Sequence, residues 1–369
     1  MKNTAIIIFI LTYLLLLILP KIRAYIALSS ALSFIVLGIL SIEKALIAID
    51  WNVILMITGT MGIVFLFIES KMPALLADLI LEKTPNVKWA ILALSLFAGL
   101  ISAFIDNVAT VLMVAPVALD ICKKLKISPV TSIIAIAISS NLQGAATLVG
   151  DTTSILLGGY ANLDFLDFFF FRNRLGIFWV VQAGALTSTL VLIYILGKNI
   201  QPINSLDRTP VEDFFPSILL LGMVVLLIIA SFIPNTPKTI NGLICISLFL
   251  LGLVKEYYKR KNLTYIAKAL KSIDYFTVLL LIGLFIVVGG LVEVGIVDDI
   301  SKLFIRFGHN DIFVIYSLLL WASVFFSAFI DNIPYVATML PVVTSIASIL
   351  NVEPYILYFG LLSGATLGG

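Results

Sequence analysis

Residues 102–117 read SAFIDNVATVLMVAPV and residues 327–342 read SAFIDNIPYVATMLPV, so the chain repeats itself. Nine of these sixteen positions are identical, which indicates an internal duplication rather than coincidence. The register holds downstream, where Gly144 aligns with Gly369, and upstream it shifts by a single position, so that Glu69 aligns with Glu293. The sequence therefore predicts two similar halves, each with membrane helices, a helical hairpin and a broken helix.

The composition of the chain is that of a membrane protein. Of the 369 residues, 61% are hydrophobic and only 12% are charged, about half the charged fraction of an ordinary soluble domain. The 23 basic and 21 acidic residues leave a net charge of +2, so there is no basic field that would hold nucleic acid. Two cysteines make no disulfide or zinc framework. We therefore expect an all-α polytopic membrane protein in a lipid bilayer, with no nucleic-acid partner.

Seven apolar runs are typical of plain membrane helices, which need about 20 residues to cross the hydrocarbon core. They are residues 4–20, 24–40, 51–68, 175–197, 214–233, 239–254 and 275–292. Four other segments, which have glycines or polar residues at their centres, are 87–122, 129–160, 311–350 and 353–369. In 87–122 the arm after Asp106-Asn107 is too short to span, which favours a re-entrant hairpin with this pair at its buried tip. Segment 311–350 is the equivalent hairpin, whereas 129–160 and the segment from 353 are predicted to be broken helices.

The two halves are predicted to be inverted in the membrane. Five crossings separate the hairpins, and an odd number reverses the orientation of the second half. With re-entrant hairpins, 16 of the 23 basic residues fall on one side, which the positive-inside rule makes cytoplasmic. That side bears Arg23, Lys123, Lys124 and Lys126. The predicted domains are a first repeat at 1–197, a cytoplasmic linker at 198–213 and a second repeat at 214–369.

Three acidic residues lie in the middle of the irregular segments. An ionised carboxylate at the bilayer centre costs about 2.5–3.5 kcal/mol, so Asp106, Asp151 and Asp331 each need a reason. No Lys, Arg or His lies near any of them in its own segment, and we expect carboxylates without a basic partner. With nearby amides and hydroxyls they form an oxygen-rich set that suits a hard cation such as Na⁺, or a proton relay. The alternative is that each aspartate only caps a half-helix or lies in an aqueous mouth.

The candidate substrate-binding and ion-binding residues are the polar and small residues at the hairpin tips and helix breaks. They are Asp106, Asn107, Thr110, Ser140, Asn141, Gly144, Thr147, Gly150, Asp151, Thr152, Thr153, Asp331, Asn332 and Thr366. Within this set, the candidate Na⁺ ligands are Asp106, Asn107, Asp331 and Asn332. No catalytic residue is assigned and no cofactor is expected, and the coupling ion is H⁺ or Na⁺.

Two other classes of membrane protein also use buried polar residues. An intramembrane aspartyl protease needs an acid–base pair of aspartates. Its usual Tyr-Asp and Gly-x-Gly-Asp contexts are absent, because Ile105 precedes Asp106 and Val149-Gly150 precedes Asp151. A passive channel stays open as an alternative, and flux without coupling to a proton or sodium gradient would favour it. We therefore predict a transporter and not an enzyme.

At the hairpin tips and the broken helix the sequence resembles the ion transporter superfamily, whose members share a citrate-transporter-like domain. Asp106-Asn107 and Asp331-Asn332 stand where the sodium/dicarboxylate branch has Ser-Asn-Thr. The sequence is more similar to the arsenite-efflux, P-protein and NhaD-type sodium/proton antiporter branch, in which Asp-Asn tips are common and the broken helix carries Gly-Asp, here Gly150-Asp151. Thr152-Thr153-Ser154 replaces a Pro-Pro-Asn that is usual in part of the family.

The resemblance implies an elevator-type secondary transporter of the cell membrane, often a homodimer, in which hairpins and broken helices carry the site across. It implies Na⁺/H⁺ antiport or efflux of arsenite or antimonite, with a sodium-coupled citrate- or dicarboxylate-type anion permease as the alternative. The sequence shows no intramembrane Lys or Arg to pair a dicarboxylate, which argues mildly against the anion. Because Gly369 aligns with Gly144, the counterpart of residues 145–197 is expected to be missing from the C-terminal end of the second repeat.

Overall fold

The computed structural model describes residues 1–125, 127–198, 201, 208–211, 213–261 and 263–369, and within these residues the chain forms eighteen α-helices and one two-stranded ribbon. The helices are α1 (Lys2–Ile18), α2 (Arg23–Val36), α3 (Ile42–Ala48), α4 (Trp51–Glu69), α5 (Met72–Leu81), α6 (Val87–Ser102), α7 (Asn107–Lys124), α8 (Val130–Gly144), α9 (Thr152–Ala161), α10 (Ile177–Ile195), α11 (Phe215–Ser231), α12 (Ile240–Arg260), α13 (Leu263–Lys271), α14 (Tyr275–Glu293), α15 (Ile296–Phe307), α16 (Ile312–Ser327), α17 (Asn332–Leu350) and α18 (Tyr355–Gly368). The antiparallel ribbon consists of β1 (Phe170–Phe171) and β2 (Arg174–Leu175). Lys126 and most of the predicted linker at 198–213 lie outside the described residues.

The helices confirm the predicted class of an all-α protein with several membrane spans. Among the described residues, five helices are long and apolar enough to cross a membrane, or up to seven if each of two bent pairs counts as one span. One of these pairs is α1 with residues 20–36, bent by 112°, so the separate spans predicted at 4–20 and 24–40 meet the length test only together. The bend follows Leu19, where Pro20 begins a short 3₁₀ turn, because proline cannot continue the hydrogen bonding of a helix. The second bent pair joins α15 to α16 at 116°.

The helix boundaries repeat in the alignment seen in the sequence. Helices α6, α7 and α8 begin at the positions that align with the first residues of α16, α17 and α18, and α4 begins where the shifted upstream register places the start of α14. The chain leaves α4 and α14 through equivalent left-handed residues, Lys71 at φ 60° and Gly295 at φ 72°. Both hairpins break where Asp106 and Asp331 cap the following helix, because an aspartate side chain satisfies the free backbone N–H groups of a first turn. The duplication thus extends from the sequence motif to the ends of the helices.

By internal contacts the chain divides into two compact units. The first comprises Met1–Ile54, Leu156–Asn162 and Asp274–Gly369, and the second comprises Leu55–Ile155 and Leu163–Ile273. Each unit therefore contains segments from both predicted repeats. The repeat boundaries at 1–197 and 214–369 stay a prediction.

In the first unit, small residues allow close contact between helices. A methyl group on Gly283 of α14 would lie 2.6 Å from the carbonyl carbon of Ala27 in α2. One on Gly364 of α18 would lie 2.5 Å from the carbonyl oxygen of Leu320 in α16. Both distances leave no room for a side chain, as is common where membrane helices pack through small residues. Helix α14 thus packs closely against α2, and α18 packs closely against α16.

The second unit is built in a similar way around the first hairpin. A methyl group on Gly59 of α4 would lie 2.4 Å from the backbone of Cys245 in α12. One on Gly99 of α6 would lie 3.2 Å from the carbonyl oxygen of Ser139 in α8. The buried apolar side chains of α5, α6, α7 and α8 form one cluster, with Phe97 among them. Helices α6, α7 and α8 therefore form a packed base that fixes the hairpin tip relative to the helix break.

Two ion pairs show how each unit joins parts of both halves. Lys44 binds Glu293 at 2.6 Å in the first unit, and Lys268 binds Glu69 at 2.9 Å in the second. Lys44 aligns with Lys268 in the same register that aligns Glu69 with Glu293, so the same pair forms twice with its partners exchanged between the halves. All four side chains are at least partly exposed, and pairs of this kind contribute at most about 1 kcal/mol. These ion pairs therefore reflect the exchange of segments between the two halves and contribute little to its stability.

Further ion pairs in the second unit tie the connection between α10 and α11 to its neighbours. The guanidinium of Arg208 donates to Glu82 at 2.6 and 2.9 Å, and this hydrogen bonding lowers the pKa of Glu82. Burial raises the pKa of Asp213, but hydrogen bonds from Lys255 and Lys259 outweigh it and hold that pKa well below its usual range. Both carboxylates therefore stay charged at neutral pH, and the connection is anchored at Arg208 and at Asp213.

Candidate ion-binding site

The first hairpin tip lies between the end of α6 and the start of α7. Asp106 precedes α7, and one of its carboxylate oxygens accepts a hydrogen bond from the backbone N–H of Ala109 at 3.1 Å. The N-terminus of a helix is the positive end of its dipole, which favours a carboxylate there. Asp106 is thus held at the tip by its own helix, as the capping alternative expects. Its charge is placed where the chain turns back.

The neighbouring amide, Asn107, connects the tip to α8. Its side-chain N–H₂ donates to the side-chain oxygen of Asn141 at 2.7 Å. The hydroxyl of Ser140 donates to the backbone carbonyl of Asn107 at 3.1 Å. Asn107, from the segment 87–122, therefore contacts Ser140 and Asn141, from the segment 129–160. All three were predicted as site residues from the sequence.

The break between α8 and α9 is attached to the same tip. The hydroxyl of Thr147 donates to the backbone carbonyl of Ala103, which belongs to the turn of the hairpin. Across the break, the hydroxyl of Ser154 donates to the carbonyl of Gly144 at 3.2 Å, one of the carbonyls freed where α8 ends. Side-chain hydroxyls thus satisfy backbone carbonyls that the interrupted helices leave without an internal donor. Ser154 was not among the residues predicted from the sequence.

Asp151 immediately precedes α9 and is nearly enclosed, with only 7% of its surface exposed. One carboxylate oxygen accepts from the N–H of Thr152 at 2.7 Å, and the other accepts from the hydroxyl of Thr153 at 2.8 Å. A methyl group on Gly144 would lie 3.1 Å from the Cβ of Asp151, so the end of α8 rests against this side chain. The break therefore contains a buried carboxylate whose hydrogen bonds include two from the first residues of α9.

Gly150 is the point at which the hairpin turn and the helix break come closest. A methyl group on Gly150 would lie 2.6 Å from the carbonyl oxygen of Gly144 and 2.9 Å from those of Ser102 and Ala103. Such distances exclude any side chain. Three backbone oxygens, from the ends of α6 and α8, thus converge on a residue next to Asp151.

Two buried hydroxyls near the tip have no hydrogen-bond partner within the part of the chain that the structure describes. They belong to Ser102 and Thr110, which lie four residues before and four residues after Asp106 and are both fully buried. A buried hydroxyl without a partner costs about 1–3 kcal/mol, so such groups call for a ligand or an ordered water. Thr110 was predicted as a site residue, whereas Ser102 was not.

The second hairpin tip, in the first unit, corrects one prediction. Asp331 was expected to have no basic partner, but its carboxylate pairs with the guanidinium of Arg23, at the start of α2. The expectation was wrong because it considered only bases near Asp331 in its own segment, and Arg23 lies 308 residues away. The second tip is therefore not a site without a cation. The pair also places an arginine, Arg23, beside the irregular segment 311–350.

The remaining predicted residues of the second tip are Asn332 and Thr366. The hydroxyl of Ser327 contacts the side-chain oxygen of Asn332 and lies 2.6 Å from the carbonyl of Ala365 in α18. The side chain of Asn332 also reaches Gly369, where a methyl group would collide with it. Thr366 is buried, and its hydroxyl donates to the carbonyl of Leu362, one turn earlier in α18. The tip thus contacts the end of α18 as the first tip contacts the end of α8.

The residues gathered at the first tip offer oxygen ligands. Among the described residues, no group of three or more His, Cys, Asp or Glu side chains could hold a metal ion. The first tip instead gathers carboxylate, amide and hydroxyl oxygens with backbone carbonyls, which are the ligands of hard cations. The role of each of the fourteen predicted site residues stays a prediction.

An all-α fold with several helices long and apolar enough to cross a membrane is that of a multi-pass membrane protein. The fold is similar to that of the YdaH transporter of Alcanivorax borkumensis, with a TM-score of 0.58, 14% sequence identity, and coverage of 88% of this chain and 75% of that chain. Residues 13–364 match the citrate transporter family. The chain belongs to this family, and the predicted superfamily is confirmed.

Several relatives support this assignment. The chain is 30% identical over its full length to an uncharacterized transporter of Mycobacterium tuberculosis, covering 87% of that protein. It is 31% identical to a 46 kDa membrane protein of Mycobacterium leprae, with the same coverage of both. A more distant relative, the P protein of Sus scrofa, is 22% identical over 87% of this chain and 47% of that protein. The relatives named as transporters are consistent with a protein that is not an enzyme.

Proposed function

We propose that this protein is a cation-coupled secondary transporter whose coupling ion, H⁺ or Na⁺, binds at the first hairpin tip. The observation that carries the proposal is the contact of the Asp106-Asn107 tip with Asn141 and Ser140, beside the buried carboxylate of Asp151. Intramembrane carboxylates are costly and commonly mark ion pathways or proton relays. Freed carbonyls at broken helices are a recurrent source of ligands for Na⁺ or H⁺ in transporters.

The roles of the site residues follow from their chemistry. Asp106 supplies the charge that neutralises the cation, while the side chain of Thr110 and the amide of Asn107 supply neutral oxygen ligands. Thr147 and Gly150 bring the helix break to the tip, and Asp151, with Thr152 and Thr153, provides a second carboxylate for an exchanging proton. In this scheme Na⁺ and H⁺ compete for the same carboxylates, which is the basis of antiport.

The most direct experiment is transport in proteoliposomes. With the purified protein reconstituted, an inward Na⁺ gradient is expected to drive H⁺ out, measured with an internal pH dye, and an imposed pH gradient is expected to drive uptake of ²²Na⁺. Arsenite and antimonite are tested in parallel as cargo expelled against H⁺. Ion flux without coupling between the Na⁺ and H⁺ gradients would contradict the proposal and favour a passive channel.

A second candidate function is a sodium-coupled anion permease. The observation that favours it is the match to a family whose description is citrate transporter. Sodium-dependent uptake of radiolabelled citrate or succinate by the same proteoliposomes, without Na⁺/H⁺ exchange, would select this candidate over the antiporter.

The proposed topology keeps both hairpins re-entrant and the two halves inverted, in a homodimer within the cell membrane. The cytoplasmic side is then the one that bears Lys123 and Lys124, and Lys126 is assigned to it from sequence alone. We expect a cysteine introduced at Lys124 to react with a membrane-impermeant maleimide only from the cytoplasmic side. The native Cys122 and Cys245 are both buried, which keeps the background low. Labelling from the outside of intact cells would reverse the assignment.

The unpartnered hydroxyl of Thr110 gives a prediction with opposite signs for binding and stability. Valine has the same shape, so Thr110→Val removes a buried polar group that has no partner among the described residues and should stabilise the protein without ligand by about 1 kcal/mol. If the hydroxyl binds the coupling ion, the same change should weaken ion affinity, by roughly tenfold. Thermal unfolding with and without NaCl measures both effects. Thr189→Val is the matched control, since that hydroxyl already donates to the carbonyl of Ala185 within its own helix.

A further inference from the structure

The second hairpin tip contains a positive charge of its own. The guanidinium of Arg23 pairs with Asp331, the residue that caps α17. We propose that Arg23 is a built-in counter-ion that occupies the place of a coupling cation at the second tip, so that the protein binds a cation at the first tip only. This inference rests on the function proposed for the first tip and specifies how many coupling ions that function uses.

Both oxygens of the Asp331 carboxylate have a partner. One accepts from Arg23, and the other accepts from the backbone N–H of Ile333 at 3.0 Å. A cation that approached Asp331 would have to displace the guanidinium. Because an arginine side chain does not lose its proton in proteins, this charge cannot be released and rebound in a transport cycle. The pair is therefore neutral and does not exchange.

Arg23 is held against the tip by its own helices. It is the first residue of α2 and lies close to the bend of 112° that follows α1. α2 is fixed in turn on α14, where Gly283 leaves no space beside the backbone of Ala27. The backbone of Arg23 is thus positioned by packed helices rather than by a flexible loop.

Helix α1 makes a second connection to the start of α17. The hydroxyl of Tyr13 lies 2.7 Å from the carbonyl of Pro334, to which it donates, and also contacts the hydroxyl of Thr338. The first turns of α17 are therefore tied both to α1, through Tyr13, and to α2, through Arg23. These contacts hold the guanidinium of Arg23 and the carboxylate of Asp331 close to each other.

The two partners of the pair are partly exposed, with 24% of the Arg23 side chain and 32% of the Asp331 side chain accessible. Their separation by mutation should therefore be tolerated better than that of a fully buried pair, for which an orphaned charge is strongly destabilising. The exposure also means that a cation has access to Asp331 once the guanidinium is gone. Removing Arg23 should consequently create a second cation site rather than only weaken the fold.

Equilibrium binding of ²²Na⁺ to the purified full chain at alkaline pH, where protons compete least, tests the inference. We expect one Na⁺ per chain in the native protein, none in Asp106→Asn and one in Asp331→Asn. Arg23→Gln should bind two, Arg23→Gln combined with Asp331→Asn should return to one, and Arg23→Lys, which keeps the charge, should stay at one.

The outcomes separate the inference from the proposed function. Two ions bound by the native protein, one of them lost in Asp331→Asn, would overturn the inference and leave the coupling role of the first tip intact. An unchanged count of one in a folded Arg23→Gln would overturn it as well. No specific Na⁺ binding by the native protein would overturn the inference and leave H⁺ as the coupling ion of the proposed function. Because the native protein and Asp331→Asn alone can decide, the test does not depend on the folding of Arg23→Gln.

Discussion

Replacing Asp106 with asparagine is expected to abolish coupled transport while leaving the fold intact. Asparagine is as good a helix cap as aspartate, so the hydrogen bond from the N–H of Ala109 to this side chain can persist. The variant loses only the negative charge, which in the proposed function neutralises the coupling ion. We expect at least a 100-fold loss of gradient-driven ²²Na⁺ uptake in proteoliposomes, which corresponds to about 2.8 kcal/mol of binding free energy.

A second acidic residue of the same helix provides the matched control. Asp120 also lies in α7, but it pairs with Lys124 at the surface, and 54% of its side chain is exposed. Asp120→Asn should therefore retain transport within about twofold, because exposed ion pairs of this kind contribute little. Equal losses in the two variants would mean that α7 responds to any lost charge. Full transport by Asp106→Asn would remove the first tip from the proposed mechanism.

The parts of the fold that the sequence predicted are those encoded locally. The interruption around Asp106-Asn107 appears as a break between Ser102 and Asn107, and the predicted broken helix at 129–160 appears as α8 and α9. Long apolar runs and capping residues act over a few neighbouring positions, so hydropathy and spacing suffice to locate them. The repeat shows each of these boundaries twice. Because the two copies share the same apolar runs and capping residues, the ends of the helices agree closely between the two hairpins.

Short amphipathic helices were harder to predict from the sequence. Helices α5 and α15 follow α4 and α14 in the two halves, and their sequences contain acidic residues that break the apolar pattern of a span. At 10 residues α5 is apolar but too short for a membrane crossing, and α15, at 12 residues, is both too short and too polar for hydropathy to reveal. Amphipathic periodicity is the signal that would have found them, and the buried positions of α15, which include Ile296, Val297 and Ile305, follow it.

Contacts between distant segments were out of reach for a single sequence. The pairing of Arg23 with Asp331 spans 308 residues. The side-chain amides of Gln143 and Gln182 donate hydrogen bonds to each other and so join α8 to α10. Nothing in the local sequence of either partner identifies the other, because side-chain pairing depends on how helices pack. For the candidate site, residue types could thus be predicted, whereas the electrostatic difference of the second tip could not. That difference is the basis for the proposal that Arg23 takes the place of a coupling cation at the second tip.

Placing an alanine at Gly150 is expected to disable the site through packing rather than charge. The added methyl group would lie within 3 Å of three backbone carbonyl oxygens, those of Ser102, Ala103 and Gly144, and backbone cannot move aside as a flexible side chain can. Overpacking of this kind typically costs about 1–3 kcal/mol. The shift needed to relieve it separates the helix break from the hairpin turn. We therefore expect a lower midpoint of thermal unfolding together with a loss of ion affinity of about tenfold or more.

Gly222→Ala is the matched control for this change. Gly222 lies inside α11, where a methyl group would meet nothing within 4 Å, so alanine should leave ion binding unchanged and stabilise the helix by up to about 1 kcal/mol. The same chemical substitution should thus act in opposite directions at the two positions. If Gly150→Ala kept native stability and native ion affinity, the hairpin turn and the helix break would not form one rigid site. The ion would then have to be bound by the Asp106 tip and α8 without the carbonyls that converge on Gly150.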